Sequence, residues 1–230
     1  MSLFAISDIH GCAKTFAAML DQIQLSTGDE LYLLGDFIDR GPRSKQLIDH
    51  IWSLQKQGYQ IHCLKGNHDQ MMLDAREDSK AYENWLLSGG KETMDSFGVT
   101  HISEVSPAYF DFFAQMPHYL EANEFIMVHA GFSFDMPDPF DEHHSMLWER
   151  NWYERINYPW LGDRIILHGH TPILKKKAER MLERIMLDQY LDIDTGCVFQ
   201  GRAPGFGFLS CFDLEQRVFH FQENIELFPK

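Results

Sequence analysis

Five short apolar runs in this 230-residue chain each lead into Asp, His or Asn beside glycine, and that repetition limits what it can fold into. Leu3–Ser7 runs into Asp8-Ile9-His10-Gly11, and Leu31–Leu34 into Gly35-Asp36-Phe37-Ile38-Asp39-Arg40-Gly41. Ile61–Leu64 precedes Gly66-Asn67-His68-Asp69, Phe125–Val128 precedes His129-Ala130-Gly131, and Ile165–Leu167 precedes His168-Gly169-His170-Thr171. Short apolar runs bounded by turn residues read as buried strands. Helical spacing fills the gaps between the first three, at Phe16, Met19, Leu20 and Ile23, then at Leu47, Ile48, Ile51, Trp52 and Leu54, closed by Gly58. This β-α-β-α-β order predicts a parallel sheet, and the carboxyl ends of its strands share one crevice.

Residues 70–120 read as mostly helical, punctuated by Gly89-Gly90, Pro107 and Pro117. The stretch from Phe132 to Gly162 is rich in Pro, Trp, Tyr and acidic residues and has no period, as expected of a functional or mobile insertion. Leu174 to Met186 has helical spacing, although Glu183 to Ile193 reads equally as strand. Gly205 to Phe212 and Arg217 to Gln222 predict a hairpin on a second sheet. No repeat, low-complexity tract or linker interrupts the chain, so residues 1–230 are expected to form one domain.

Charge narrows the partners. Twenty Lys and Arg against thirty-four Asp and Glu give a net charge of −14, which argues against a nucleic-acid polymer as ligand. No apolar run approaches the ~20 residues of a spanning helix, and the N-terminus lacks the basic start of a signal peptide. The four cysteines are scattered without a C-x-x-C pair, as in a reduced, cytoplasmic protein.

The strand ends bring Asp, His, Asp, Asn, His and His together. Carboxylate, imidazole and amide oxygen suit a divalent ion such as manganese, iron or zinc. Six side chains are too many for one catalytic ion that keeps an open position. They suit two ions about 3.5–4 Å apart sharing a carboxylate, the arrangement used for in-line displacement at phosphorus.

Asp8-x-His10-Gly11, Gly35-Asp36-x-x-Asp39-Arg40-Gly41, Gly66-Asn67-His68-Asp69, His129-Ala130-Gly131 and Gly169-His170-Thr171 resemble, in order, the motifs of the calcineurin-like metallophosphoesterases. The Asp39-Arg40-Gly41 ending resembles the serine/threonine protein phosphatase branch in its short bacterial and bacteriophage form. The resemblance implies an α/β fold: a four-layer αββα sandwich with two mixed sheets flanked by helices. It implies two divalent ions, manganese first, with iron or zinc as alternatives. Asp8, His10 and Asp36 would hold one; Asp36, Asn67, His129 and His170 the other, with a bridging hydroxide as nucleophile. His68 would protonate the leaving oxygen, oriented by Asp39. Arg40 and Arg150, with Asn67, would bind the phosphate.

The implied activity is hydrolysis of phosphoserine and phosphothreonine in proteins. The alternative is a diadenosine-tetraphosphate or other nucleotide phosphohydrolase built on the same metal site. Asp69 stands where protein phosphatases usually carry Glu. Symmetrical diadenosine tetraphosphatases share that Asp but typically lack the equivalent of Asp39. Substrate choice is expected to lie in the 132–162 stretch, with Trp148, Trp152, Tyr158 or Trp160 partly exposed along a groove. His168 is expected to be a core histidine, and His143-His144 and Lys175-Lys176-Lys177 to be solvated.

Overall fold

The computed structural model describes residues 1–201 and 204–227. Among these residues, nine strands form two sheets. The first contains β1 (Leu3–Ile6), β2 (Glu30–Leu33), β3 (Gln60–Cys63), β8 (Phe208–Asp213) and β9 (Val218–Glu223), in the order β3-β2-β1-β8-β9. The second contains β4 (Tyr119–Ala122), β5 (Phe125–Val128), β6 (Ile165–His168) and β7 (Tyr190–Asp192), in the order β4-β5-β6-β7. Both are mixed. β1, β2 and β3 run parallel while β8 and β9 join antiparallel; β5, β6 and β7 run parallel while β4 is antiparallel.

Side-chain alternation stacks the layers, because neighbouring residues on a strand point to opposite faces. Leu3, Ala5, Tyr32 and Phe212 of the first sheet pack with Phe125, Met127, Ile165, Leu167 and Leu191 of the second. The residues between them, Phe4, Ile6, Leu31 and Leu33, face outward into a core shared with α1 (Ala13–Gln22), α2 (Ser44–Lys56) and α3 (Asn67–Glu77). Ile126, Val128 and Ile166, on the far face of the second sheet, are covered by Phe132, Met146, Trp152, Ile156 and Leu161. The result is the expected four-layer sandwich, with the 132–162 stretch as its outer layer.

Three expectations need correction. The hairpin of β8 and β9 extends the first sheet, with Ala5 opposite Phe212, and does not belong to the second. β4 lies at the end of a region read as helical. Trp152 is not groove surface: it is 1% exposed, donates its indole N–H to Ala130 O at 3.1 Å, and sits against Gly131. A Cβ on Gly131 would come within 2.0 Å of the Trp152 indole nitrogen, so only glycine permits this packing. The ambiguous segment after Leu174 holds both readings in turn, helices Lys175–Glu183 and Ile185–Asp188, then β7.

Candidate metal centre

All five polar runs leave their strands at one edge of the sandwich, and three of them, those of Asp8-His10, Asp36-Arg40 and His170, leave on strained backbone. Among the described residues, ten non-glycine residues have positive φ, and six of them are Asp8, His10, Asp36, Asp39, Arg40 and His170. Left-handed backbone is costly for residues with a Cβ, and its concentration at one place marks a site that the surrounding fold holds rigidly.

Asp36 is the hub. Its Oδ2 lies 3.4 Å from His10 Nε2 and its Oδ1 3.4 Å from His129 Nε2, so the two carboxylate oxygens face different imidazoles. Two groups of potential metal ligands share it: His10, Asp36 and His68, and Asp36, His129 and His170. Asn67 Oδ1 is 2.8 Å from His170 Nδ1 and 2.9 Å from His129 Nε2, and these two nitrogens are 3.2 Å apart. Asp8 stands beside this group. Its Oδ2 accepts the His170 backbone N–H at 3.0 Å and the Ser7 hydroxyl.

The donor set suits cations. His10 donates its Nδ1–H to Ile38 O at 2.7 Å, and His129 donates its Nδ1–H to Leu34 O at 2.8 Å. Each neutral ring therefore turns an Nε2 lone pair toward the centre, the tautomer a metal requires. Burial lowers the pKa of His129, yet Asp36 and Asp8 outweigh it and hold the ring above its ordinary value. The pocket attracts positive charge. His170 Nε2 is buried without a hydrogen-bond partner. Burial, aided by His129 and Arg150, drives the His170 pKa down, so the ring stays neutral with one nitrogen lone pair available.

Asp69 closes the loops around this centre. It accepts the backbone N–H of Asp36 at 2.9 Å, of Gly66 at 2.8 Å and of Phe37 at 3.1 Å, tying the second and third motifs together. Gly169 has a comparable role opposite. A Cβ there would stand 1.9 Å from Ser7 Oγ and 2.2 Å from Asp8 Oδ2.

Beside the cluster, His68 donates its Nδ1–H to Asp39 Oδ2 at 2.7 Å, with both side chains buried. Asp39 is further held by the Thr93 hydroxyl at 2.7 Å and by the Trp85 indole N–H at 3.0 Å. Burial raises the Asp39 pKa well above the usual carboxylate range, with Asp36 adding to it. Burial, opposed by Asp36 and aided by Arg40, His129 and Arg150, lowers His68 to about 4. Trp85 and Thr93 carry no sequence signal for this role, since they sit 46 and 54 residues beyond Asp39 on separate helices.

Two arginines flank the centre. Arg40 donates from Nη1 to His10 Nε2 at 2.6 Å, and its guanidinium lies 5.6 Å from the centre of the Phe199 ring. Arg150 is exposed and donates to Thr171 Oγ1 at 2.9 Å, beside His170. Trp148 is 37% exposed, with its ring centre 6.3 Å from that of His170. Of the candidate groove aromatics, it alone packs against a residue of the centre. Tyr158 is exposed, and Trp160 packs on Phe132, Phe134 and Phe140. His168 stays in the core, donating to Gly169 O at 3.1 Å and accepting from the Tyr153 hydroxyl at 3.0 Å. His143 and His144 are exposed but open a short helix, His143–Trp148.

The chain is 23% identical, over 90% of its length and 89% of the relative's, to an asymmetrical bis(5'-nucleosyl)-tetraphosphatase from Oceanobacillus iheyensis. It is 27% identical, over 87% of its length and 88% of the relative's, to serine/threonine-protein phosphatase 1 of Salmonella typhimurium. Its fold matches that of a serine/threonine phosphatase from Saccharomyces cerevisiae with a TM-score of 0.64, at 14% identity, over 99% of this chain and 81% of the other. Among the described residues no helix is long and apolar enough to cross a membrane. The family model for calcineurin-like phosphoesterases matches residues 1–196, the span that carries every polar strand end described above, and the chain therefore belongs to that family of dinuclear-metal phosphoesterases.

Proposed function

We propose that this phosphoesterase is a phosphomonoesterase that hydrolyses phosphoserine and phosphothreonine in proteins, with manganese as its working metal. Asp8, His10 and Asp36 would hold one ion, and Asp36, Asn67, His129 and His170 the other, with Asp36 between them. When bound, two such ions supply an acidified water and neutralise phosphate charge. Arg40, beside His10, and Arg150, beside His170, would clamp the phosphate oxygens, while the Asn67 amide would orient the phosphoryl group. His68 presents its Nε2 to the leaving oxygen. Asp39, together with the incoming phosphate dianion, favours the imidazolium form despite burial.

The observation that carries this reading is the His68–Asp39 pair, 2.7 Å apart and braced by Trp85 and Thr93. A serine or threonine alkoxide is a strongly basic leaving group that departs only with a proton. A nucleoside phosphate leaves as a stable anion and has little use for such a pair. A second reading, hydrolysis of dinucleoside tetraphosphates, is favoured by the relative from Oceanobacillus iheyensis, which this chain matches over 90% of its length. Assaying the manganese-loaded protein with a phosphothreonine peptide and with diadenosine tetraphosphate separates them. The first reading expects kcat/KM at least tenfold higher for the peptide, about 1.4 kcal/mol of discrimination. The opposite ratio selects the second.

A further inference from the structure

α1 and α2 both start without a cap of their own. The preceding residues, Cys12 and Arg43, make no capping side-chain hydrogen bond, and neither first turn contains an acidic residue. Uncapped first turns leave backbone N–H groups without partners and a positive helix end unbalanced. At α2 the Ser96 hydroxyl takes the Lys45 N–H at 2.9 Å. At α1 a carboxylate from the other end of the chain supplies the acceptor, and it reaches across to the side chain of Arg43. Glu226, with its side chain fully shielded, accepts the Lys14 backbone N–H at 2.6 Å and the Arg43 Nε–H at 3.0 Å.

Asn224 seats that carboxylate. Its Nδ2 donates to Cys197 O at 2.7 Å, and its Oδ1 accepts the Thr15 hydroxyl at 3.1 Å and the Glu226 N–H at 2.7 Å. Ile225 N–H donates to Thr15 Oγ1 at 3.0 Å. Lys14 follows the His10 loop, and Arg43 follows Asp39-Arg40. The two loops are joined along their length: His10 N–H donates to Asp36 O at 2.9 Å, Gly11 N–H to Phe37 O at 2.8 Å, and His10 Nδ1–H to Ile38 O at 2.7 Å. At the Arg40 end, Arg43 N–H donates to Gly11 O at 3.0 Å and Arg40 donates to His10 Nε2 at 2.6 Å. The strand-end segment Asn224–Glu226 lies outside residues 1–196, the span that the family model matches.

We propose that Glu226 is a positioning residue that, by holding the Arg43 side chain, steadies the end of the Arg40 loop and so places Arg40 to receive phosphate. This rests on Arg40 being a phosphate clamp. Without the Glu226 charge, Arg43 loses its buried partner, and the Arg43–Gly11 contact that ends the strained Arg40 loop is weakened. Phosphate affinity then suffers more than proton transfer, because His68 and Asp39 are braced separately by Trp85 and Thr93.

The test is steady-state kinetics of the full manganese-loaded chain on para-nitrophenyl phosphate, with inorganic phosphate as competitive inhibitor. Glu226→Gln, Arg43→Gln and the pair are compared with wild type. Each single variant is expected to raise KM and the phosphate inhibition constant about tenfold, the scale of a sub-ångström misplacement, with kcat within about twofold. The pair should be no worse than either, since both break one contact. If Glu226→Gln fails to fold, the half-exposed Arg43 supplies the same readout from the other end. A lowered melting temperature with unchanged KM and inhibition constant would make the contact purely structural and overturn the proposal. Arg40→Ala is the control. If it leaves the phosphate constant unchanged, the clamp reading fails; if it raises the constant while the Glu226 and Arg43 variants do not, only the positioning role fails.

Discussion

The indole N–H of Trp85 donates to both carboxylate oxygens of Asp39 at 3.0 Å, across 46 residues of chain. Both groups are fully buried, so the hydrogen bond holds a carboxylate in a place where solvent cannot. Trp85→Phe keeps an aromatic ring but removes the donor. It should cost about 1.5–3 kcal/mol of stability, the scale of a hydrogen bond to a charged group. It should also slow alkyl phosphate hydrolysis more than that of para-nitrophenyl phosphate, because only the former needs a well-aimed His68. Urea unfolding and parallel rates on the two esters check both effects.

Asp36 faces His10 with one oxygen and His129 with the other. The wild-type protein should therefore bind two divalent ions per chain, lose activity to a chelator and regain it with Mn²⁺. Asp36→Asn should retain at most one ion and lose activity at least about 10²-fold, since one shared carboxylate serves both ions. Metal analysis of saturated preparations decides this. Two ions in Asp36→Asn would remove the shared role.

The two tryptophans of the outer layer should separate cleanly. Trp152→Ala empties a packed position under Gly131 and should cost about 3–5 kcal/mol of stability. Trp148→Ala, at a residue 37% exposed beside His170, should instead change kcat/KM for phosphopeptides with little change in melting temperature or in para-nitrophenyl phosphate hydrolysis. Equal effects on both substrates would remove Trp148 from leaving-group recognition.

How much of this was legible in the sequence depended on how local the signal was. Asp8, Asp36, Asn67, His129 and His170 each follow an apolar run closely, so strand and site residue announced each other. The sheet that the β8 hairpin joins cannot be read locally, because its partner β1 lies some two hundred residues upstream, pairing Phe4 with Asp213, and antiparallel pairing leaves no local mark. Trp152 looked like surface because the 132–162 stretch has no period. Its burial comes from Ile126, Val128 and Ile166 on the far side of a sheet. Trp85 and Thr93 were invisible as partners of Asp39 for the same reason of distance. Asp and His enter the left-handed region more readily than most side chains, but only the surrounding fold decides that Asp36 and His170 do so.

His118 gives a stability test at a distance from the ligands. Burial lowers its pKa from 6.5 to about 4, helped by His143, whose ring stacks on it at 4.3 Å, and by Lys65. Between those two pH values the unfolded chain binds the proton that the folded one refuses. Its stabilising contribution is present above pH 6.5 and is lost as pH falls through that value toward 4. His118→Gln should therefore show a shallower loss of stability than wild type across that window. Urea midpoints at pH 7 and pH 5 measure the difference.

The leaving-group dependence of hydrolysis addresses the proposed chemistry most directly. Rates would be measured for wild type and His68→Asn, both loaded with two manganese ions, on phosphate esters running from para-nitrophenol to a serine-like alcohol. The His68→Asn rate should fall by about 10²–10⁴ on the alkyl ester and by far less on para-nitrophenyl phosphate, so the mutant's rates depend steeply on leaving-group acidity while those of wild type do not. Parallel dependences, with the same loss on every ester, would contradict proton donation by the His68–Asp39 pair.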